Sequence, residues 1–209
     1  LRRSFRDRNM ELGDPDFVTA DTARLTSQAY ADQQRAGISP DKATPSSSLP
    51  GPGSGKEGQS TTHFSVVDKA GNAVSLTYTL NDWFGARVTA EGTGILLNDE
   101  MDDFSAKPGF PNMYGLVEGT NNAIAPGKRP LSSMTPTIVT RDGQLAMVIG
   151  TPGGSHIPTG VLQVMVNVID YDMTLTEAVD APRIHAQWLP DVIYYEKDSL
   201  SADTMAALA

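Results

Sequence analysis

An alternation of apolar and polar positions predicts a β-hairpin in the second quarter of the chain. Residues 62–67 and 73–80 are β-prone, and residues 68–72 between them supply turn formers. In the second segment the apolar side chains occupy alternate positions, at Val74, Leu76, Tyr78 and Leu80. A period of two residues is typical of a strand, so we expect two antiparallel strands here.

A second hairpin and a buried helix are predicted further along. Residues 137–140 and 145–149 are joined by a segment whose Asp142-Gly143 step favours a tight turn. Just after Gly153 and Gly154 the period changes to that of a helix with apolar positions at Ile157, Val161, Leu162, Val164, Met165, Val168 and Ile169. A strand pair that leads into a buried helix indicates a layered fold of helices and strands.

Two more helices are indicated by their ends. Residues 21–36 have partly helical spacing, with Asp21 as a possible cap and Gly37 as a stop. Thr174 and Glu177 form the Thr-x-x-Glu capping-box pattern, which predicts a short helix that ends before Pro182.

A tether precedes the first hairpin. Residues 39–60 include a run at 45–55 that is too rich in Pro, Gly and Ser to bury a core, so we expect an exposed segment. Taken alone, such a run is typical of an inert linker. It ends at Ser60, directly before the first predicted strand.

Composition and charge narrow the function classes. A formal net charge of -9 and a pI near 4.7, with no Lys/Arg cluster, disfavour nucleic acid as a partner. No apolar run approaches the roughly 18 residues of a membrane helix. The chain has no cysteine, and its histidines, His63, His156 and His185, lack metal-ligand spacing, so we expect no metal and no cofactor.

Thr61 is the sharpest chemical candidate. A threonine hydroxyl is a weak nucleophile that needs a base, and cleavage of the peptide bond before it would make its own α-amino group that base. An α-amine has a pKa of about 7.7 to 8.0, so a useful fraction is unprotonated near neutral pH. From spacing alone, however, Thr61-Thr62 is more typical of an ordinary pair that starts a strand.

A series of motifs favours the catalytic interpretation of Thr61. It starts at residues 61–68 and continues in order through residues 94–98, 101–104, 129–136, 152–155 and 181–183. The series resembles the γ-glutamyltranspeptidase family, and residues 61–68 are closely similar to the start of that family's small subunit. Residues 12–17 resemble part of the end of the large subunit. The resemblance implies an α+β fold, the four-layer αββα sandwich of N-terminal-nucleophile (Ntn) hydrolases, present here in part. It divides the chain into residues 1–60, the end of the large subunit with its tether, and residues 61–209, the small catalytic subunit.

The resemblance also implies the catalytic residues. Cleavage between Ser60 and Thr61 would free Thr61 as the nucleophile, and Thr79 resembles the threonine that hydrogen-bonds it. Gly153 and Gly154 resemble the pair whose amides stabilise the oxyanion. Without the family, Thr79 is typical of an ordinary strand residue and the two glycines of a turn.

Substrate-binding residues follow from the same resemblance. Asn81, Glu100 and Asp103 match the groups that bind the α-amino group of a glutamyl donor, and Ser132 and Ser133 match those that bind its α-carboxylate. The arginine that completes the carboxylate site belongs to a region outside this chain. Alone, these residues are equally typical of solvated turns and polar loops.

Tyr114 resembles the residue that shields the bound glutamyl group from a covering loop at residues 107–116, although a plain surface loop has the same composition. We expect neither His63 nor His156 to be catalytic, because the α-amine already supplies the base.

The resemblance implies a self-processing enzyme that passes a γ-glutamyl group from glutathione or a related amide to water, an amino acid or a peptide. Its two subunits would come from one precursor, in the periplasm or secreted. Two alternatives stay open: a glutaryl-cephalosporin acylase of the same superfamily, and an inactive, uncleaved paralogue that only binds ligand. Asp103 argues against the acylase, because a glutaryl donor has no ammonium for that carboxylate to meet.

Overall fold

A computed structural model describes residues 1–48 and 60–208. The chain forms two compact units. The first contains residues 1–56, 100–132 and 186–192, and the second contains residues 57–99, 133–185 and 193–209. Most of the predicted tether lies outside the described residues. Within the described ranges, no helix is long and apolar enough to cross a membrane.

The first unit is built on a helix that its sequence pattern did not suggest. Helix α1 (Arg2–Glu11) carries Phe5 into a buried cluster with Tyr114, Leu116, Val117, Trp188 and Leu189. On a neighbouring turn Arg8 forms a 2.7 Å ion pair with the buried Glu118. Phe5 and the buried Arg8–Glu118 ion pair therefore help to hold a helix whose other residues are mostly charged or polar.

The helix predicted over residues 21–36 is in fact two helices. Helix α2 (Thr22–Leu25) begins at Asp21, which accepts from the amide of Arg24 as expected. Helix α3 (Gln28–Ala36) begins at Ser27, whose hydroxyl accepts from the amide of Tyr30, and ends at Gly37. The prediction of one continuous helix was wrong because Ser27 caps a new helix in the middle of the segment.

Ser46, in the described part of the predicted tether, is anchored. Ser46 lies in a short 3-10 turn (Ser46–Ser48) and is buried, and its amide donates to the Asp191 carboxylate over 2.6 Å. Asp191 also pairs with Arg2 at 2.8 Å. The expectation of an exposed segment is therefore wrong at Ser46, because the carboxylate of Asp191, far along the chain, accepts a hydrogen bond from its backbone amide.

Both predicted hairpins are present in the second unit. Strands β1 (Thr62–Val67) and β2 (Ala73–Tyr78) pair antiparallel, as do β3 (Thr137–Arg141) and β4 (Gln144–Ile149). Asp142 and Gly143 both have a positive φ, and this is the conformation that a tight hairpin turn requires.

Helices pack on the second hairpin. Helix α4 (Ile157–Ile169) and helix α5 (Leu175–Asp180) form a core with β4, consisting of Ile149, Ile157, Val161, Val164 and Ala178. Helix α5 begins with the predicted capping box of Thr174 and Glu177. The unit is completed by the short pair β5 (Ile184–His185) and β6 (Tyr194–Tyr195) and by helix α6 (Ala202–Leu208).

The first hairpin meets β4 through polar side chains. Ser75 donates to the carbonyl of Ile149 over 3.0 Å, and Ser65 donates to that of Val148 over 3.3 Å. The ring of His63 lies against Gly150, where an added Cβ would come within 2.2 Å of the ring. Strand β4 thus contacts both the first hairpin and the helices, and the predicted α+β fold class is confirmed.

Candidate active site

Two hydroxyl groups converge on the carbonyl of Ser60. Thr61 lies one residue before β1, and its hydroxyl donates to the carbonyl oxygen of Ser60. Thr79 lies one residue after β2, and its hydroxyl donates to the same oxygen over 3.0 Å. Because Thr62 and Tyr78 are paired across the hairpin, Thr61 and Thr79 come together at its open end.

Asn81 orients this cluster from the loop after β2. Its amide donates to the Thr79 hydroxyl oxygen over 2.9 Å, which leaves the Thr79 hydrogen free to point at Ser60. The Asn81 carbonyl accepts from the hydroxyl of Ser60, and its side chain donates to the carbonyl of Asp99 over 3.2 Å. Asn81 is buried with a φ of 77°, a left-handed conformation that asparagine tolerates better than most residues.

The predicted oxyanion glycines form a turn between β4 and α4. Gly153 has a φ of 130° and Gly154 one of 56°, so both need the freedom of glycine. A short 3-10 turn (Gly154–His156) then leads into α4. Amides at the start of a helix carry partial positive charge, so this turn suits a developing negative charge.

The first hairpin and the glycine turn are linked through β4. The contacts of Ser65 and Ser75 hold the hairpin on Val148 and Ile149, and β4 ends only four residues before Gly153. The structure therefore places Thr61, Thr79, Asn81, Ser133, Gly153 and Gly154 in one compact unit.

Glu100 and Asp103 share a 3-10 turn (Glu100–Asp103) in the other unit. Burial, a hydrogen bond with Glu100 and the charges of Glu100 and Glu118 raise the pKa of Asp103 to about 8, against a smaller opposing effect of Arg8. The Asp103 carbonyl accepts from the side chain of Asn122 over 2.7 Å, which fixes the turn. An acidic pair of this kind is prepared to receive a cation, because a cation relieves the repulsion between the two carboxyl groups.

Ser132 and Ser133 follow an arginine that sequence reasoning left without a role. Arg129 binds the buried Asp14 through two nitrogens at 2.6 and 3.1 Å, and also pairs with Asp16 at 2.6 Å. The hydrogen bonds from the side chain and the amide of Arg129 hold the pKa of Asp14 far below its usual range. Since the partners lie 115 residues apart, no local pattern could have indicated the pairing.

Tyr114 is placed inside the first unit. Its ring is buried in the cluster with Phe5 and Trp188, and its carbonyl accepts from Gln187 over 2.9 Å. The loop around it is held by the Asp102 carboxylate, which accepts from the amide of Met113 over 3.0 Å. Residues 107–116 are thus an ordered loop here, and the role of Tyr114 as a shield stays a prediction.

His63 and His156 both have structural partners. The Nδ1 atom of His63 lies 2.9 Å from the Thr77 hydroxyl, and its Nε2 atom lies 3.1 Å from that of Ser65. His156 stacks on His185 with ring centroids 3.7 Å apart. Burial lowers the pKa of both His63 and His156, because it disfavours the protonated ring.

Comparison with known proteins identifies the relatives of this chain. The sequence model described as Gamma-glutamyltranspeptidase matches residues 1–209. A glutathione hydrolase proenzyme of Pseudomonas sp. (strain A14) is 59% identical over 208 residues, which is 100% of this chain and 36% of the relative. A mutant γ-glutamyltranspeptidase of Helicobacter pylori shares 58% identity with a TM-score of 0.68, covering 70% of this chain and 79% of that one.

A more distant relative represents the rival activity. The acylase ACY 1 proenzyme of Pseudomonas sp. (strain V22) is 42% identical over 184 residues, which is 88% of this chain and 31% of the relative. This chain spans about a third of the length of the curated relatives that it matches.

Proposed function

The chain belongs to the γ-glutamyltranspeptidase family, and on that premise we propose that the protein cuts itself between Ser60 and Thr61 and then cleaves γ-glutamyl amides such as glutathione. The observation that carries this proposal is the convergence of the Thr61 and Thr79 hydroxyls on the Ser60 carbonyl. Both hydroxyls contact the carbonyl oxygen of the peptide bond that must break.

Self-cleavage proceeds in two steps. The Thr61 hydroxyl oxygen attacks the carbonyl carbon of Ser60, the C–N bond breaks, and the proton of the hydroxyl passes to the Thr61 nitrogen, which leaves an ester. Water then hydrolyses the ester, giving a carboxylate on Ser60 and a free α-amine on Thr61. The Thr79 hydroxyl stabilises the negative charge that develops on the Ser60 oxygen during the attack.

Turnover uses the freed residue. The α-amine of Thr61 accepts the hydroxyl proton while the oxygen attacks the γ-glutamyl carbonyl, and the donor's amine leaves with a proton. The resulting γ-glutamyl ester is passed to water or to the amine of an amino acid or peptide. Amides of Gly153 and Gly154 stabilise the tetrahedral oxyanion in both halves of the reaction.

The donor is recognised by its charged α-substituents. By resemblance to the family, Asn81, Glu100 and Asp103 receive the ammonium, and Ser132 and Ser133 receive the carboxylate. The raised pKa of Asp103 supports this role. Burial and the neighbouring Glu100 disfavour ionisation of Asp103, and a bound ammonium would stabilise its ionised form. Tyr114 shields the donor from solvent.

The two subunits come from one precursor, with residues 1–60 ending the large subunit and residue 61 starting the small one. We place the mature heterodimer in the periplasm or outside the cell, and no cofactor takes part. The glutaryl acylase is the alternative, supported by the 42% identical acylase relative. It would leave Asp103 without an ammonium partner.

The test uses the full-length precursor with γ-glutamyl and glutaryl anilides as donors. Thr61→Ala removes the nucleophile and is expected to abolish both self-cleavage and release of the anilide. Thr62→Ala is the matched control, because it removes the neighbouring hydroxyl, which the hairpin places on exposed strand β1. Activity retained by Thr61→Ala would refute the proposal, and faster turnover of the glutaryl donor would establish the acylase instead.

A further inference from the structure

A cavity of about 290 Å³ lies beside the glycine turn. Its walls come from the start of α4 and from the β5–β6 pair. The lining includes Gly153, His156, Gln163, His185 and Tyr194. One wall of this cavity is therefore the same turn that we propose binds the oxyanion, so groups in the cavity can act on that turn.

Two imidazole rings in the cavity lining, those of His156 and His185, are stacked on each other. The centroids of His156 and His185 are 3.7 Å apart with an angle of 24° between the ring planes. Tyr194 stands at an angle to both, with its centroid 5.4 Å from that of His156 and 6.1 Å from that of His185. His156 belongs to the 3-10 turn that contains Gly154, and its amide donates to the Gly153 carbonyl over 3.0 Å.

His185 is held by Thr159 and by strand β5. It is buried, and its Nδ1 atom lies 2.9 Å from the Thr159 hydroxyl, which itself donates to the His156 carbonyl over 2.9 Å. With the hydroxyl hydrogen used in this way, Nδ1 of His185 is the donor in their contact. Gln163 ties β5 to α4 by exchanging hydrogen bonds with the backbone of Ile184 at 2.8 and 3.0 Å.

We propose that His156 is a positioning residue, which holds the Gly153–Gly154 turn ready for the oxyanion only while its ring is neutral and stacked on His185. The inference rests on the proposed function and adds a pH-sensitive element to the same site. Gly153 and Gly154 have no side chains that could pack and hold their turn. The stack instead holds His156, which belongs to the same turn, against the buried ring of His185.

The nearby carboxylate of Glu196 stabilises the protonated ring of His156 only in part. Arg183, just before β5, and Glu196, just after β6, are paired at 3.1 Å, so the carboxylate is already engaged by a cation. The rings of His185 and Tyr194 also face that of His156. Burial lowers the pKa of His156, and Glu196 opposes this only in part. Protonation therefore adds a half-buried cation to the stack, which disfavours the stacked arrangement.

The test follows pH profiles of the two-subunit enzyme between about pH 5 and pH 9, the range in which histidine titrates. His156→Phe keeps a flat ring but cannot be protonated, and we expect it to retain kcat at alkaline pH and to lose the acid-side decline that belongs to this histidine. His156→Ala removes the stack, and we expect kcat to fall about 10- to 100-fold with little change in KM. Leu162→Ala, on the exposed side of α4, is the control for general effects on the helix.

A measurement independent of turnover separates this inference from the proposed function. In glycine- and histidine-labelled wild-type enzyme, the Gly154 amide resonance should shift with the same midpoint as the His156 ring. Wild-type kcat in His156→Ala, an unchanged acid-side decline in His156→Phe, or a Gly154 resonance that ignores the titration of His156 would each overturn the inference. A wild-type enzyme without γ-glutamyl activity would refute the proposed function alone, because the resonance would still report the coupling.

Discussion

The hydroxyl of Thr79 donates to the carbonyl oxygen of Ser60 over 3.0 Å, across 19 positions of the chain. The amide of Asn81 binds the Thr79 oxygen from behind at 2.9 Å and so directs the hydrogen towards Ser60. An oriented donor on a carbonyl that is about to be attacked is the arrangement of an oxyanion site. Thr79 is thus placed to stabilise negative charge on the Ser60 oxygen, as the proposed cleavage before Thr61 requires.

Thr79→Val is expected to slow self-cleavage about 10²- to 10³-fold, the usual cost of losing one oxyanion donor. Valine keeps the shape and β-propensity of threonine, so the hairpin should survive. The fraction of cut chain is followed over time by gel electrophoresis of the purified precursor. Thr77→Val is the matched control, because its hydroxyl faces His63 and not Ser60. Equal rates for Thr79→Val and the wild type would rule out the role assigned to Thr79.

Binding of a γ-glutamyl donor should release a proton from Asp103. The pKa of this carboxyl is about 8 in the free protein, so near pH 7 it is mostly protonated, and a bound ammonium favours the ionised form. We expect about one proton to be released near pH 7 and KM to fall as the pH rises towards 8. Calorimetry in buffers of different ionisation enthalpy measures the proton. Asp103→Asn should release none and raise KM about 100-fold or more. Equal proton release by the variant would contradict the assignment.

The same carboxyl makes stability depend on pH. Because its pKa is raised above the usual 3.8, the folded protein holds the proton more tightly than the unfolded chain. Its contribution to stability is complete below about pH 3.8 and is lost as the pH rises through 8. The Tm of Asp103→Asn minus that of the wild type should therefore increase from pH 5 to pH 9. Asp142→Asn, in the exposed turn before β4, is the control. An equal increase of the Tm difference in this variant would show that the effect does not come from the burial of Asp103.

Gly153→Ala should reduce kcat about 10²- to 10³-fold with a smaller effect on KM, because alanine does not accept a φ of 130° and the turn would change shape. An added Cβ would meet nothing closer than 3.7 Å, so the effect comes from the backbone and not from a clash. Gly143→Ala is the matched control, since its φ is also positive, at 77°, with open space around it. Steady-state kinetics measure kcat and KM of both variants. An equal loss of kcat in Gly153→Ala and Gly143→Ala would indicate general destabilisation and contradict the role of Gly153.

Elements with strong local patterns were predictable from the sequence. Both hairpins and α4 follow from periodicity, and α5 follows from the capping box at Thr174. Helix α1 was missed because it is held by Phe5 and by the Arg8–Glu118 pair, and the partners of both lie more than 100 residues away. Local periodicity contains no information on such contacts.

The candidate site was predictable for a different reason. The residues around Thr61 were found through family resemblance, whereas their hydrogen bonds required the fold. The support of Thr79 by Asn81 is local but depends on the left-handed conformation of Asn81, which no pattern indicates. The stack of His156 on His185 joins two residues 29 positions apart through α4 and β5, so spacing alone could not suggest it.

The central claim is that breaking the peptide bond before Thr61 creates the catalytic group. N-terminal sequencing of the smaller chain from active, full-length protein tests it most directly. We predict that this chain begins Thr61-Thr62-His63. An active enzyme that remains a single uncut polypeptide, or a small chain that begins at any other residue, would contradict the account.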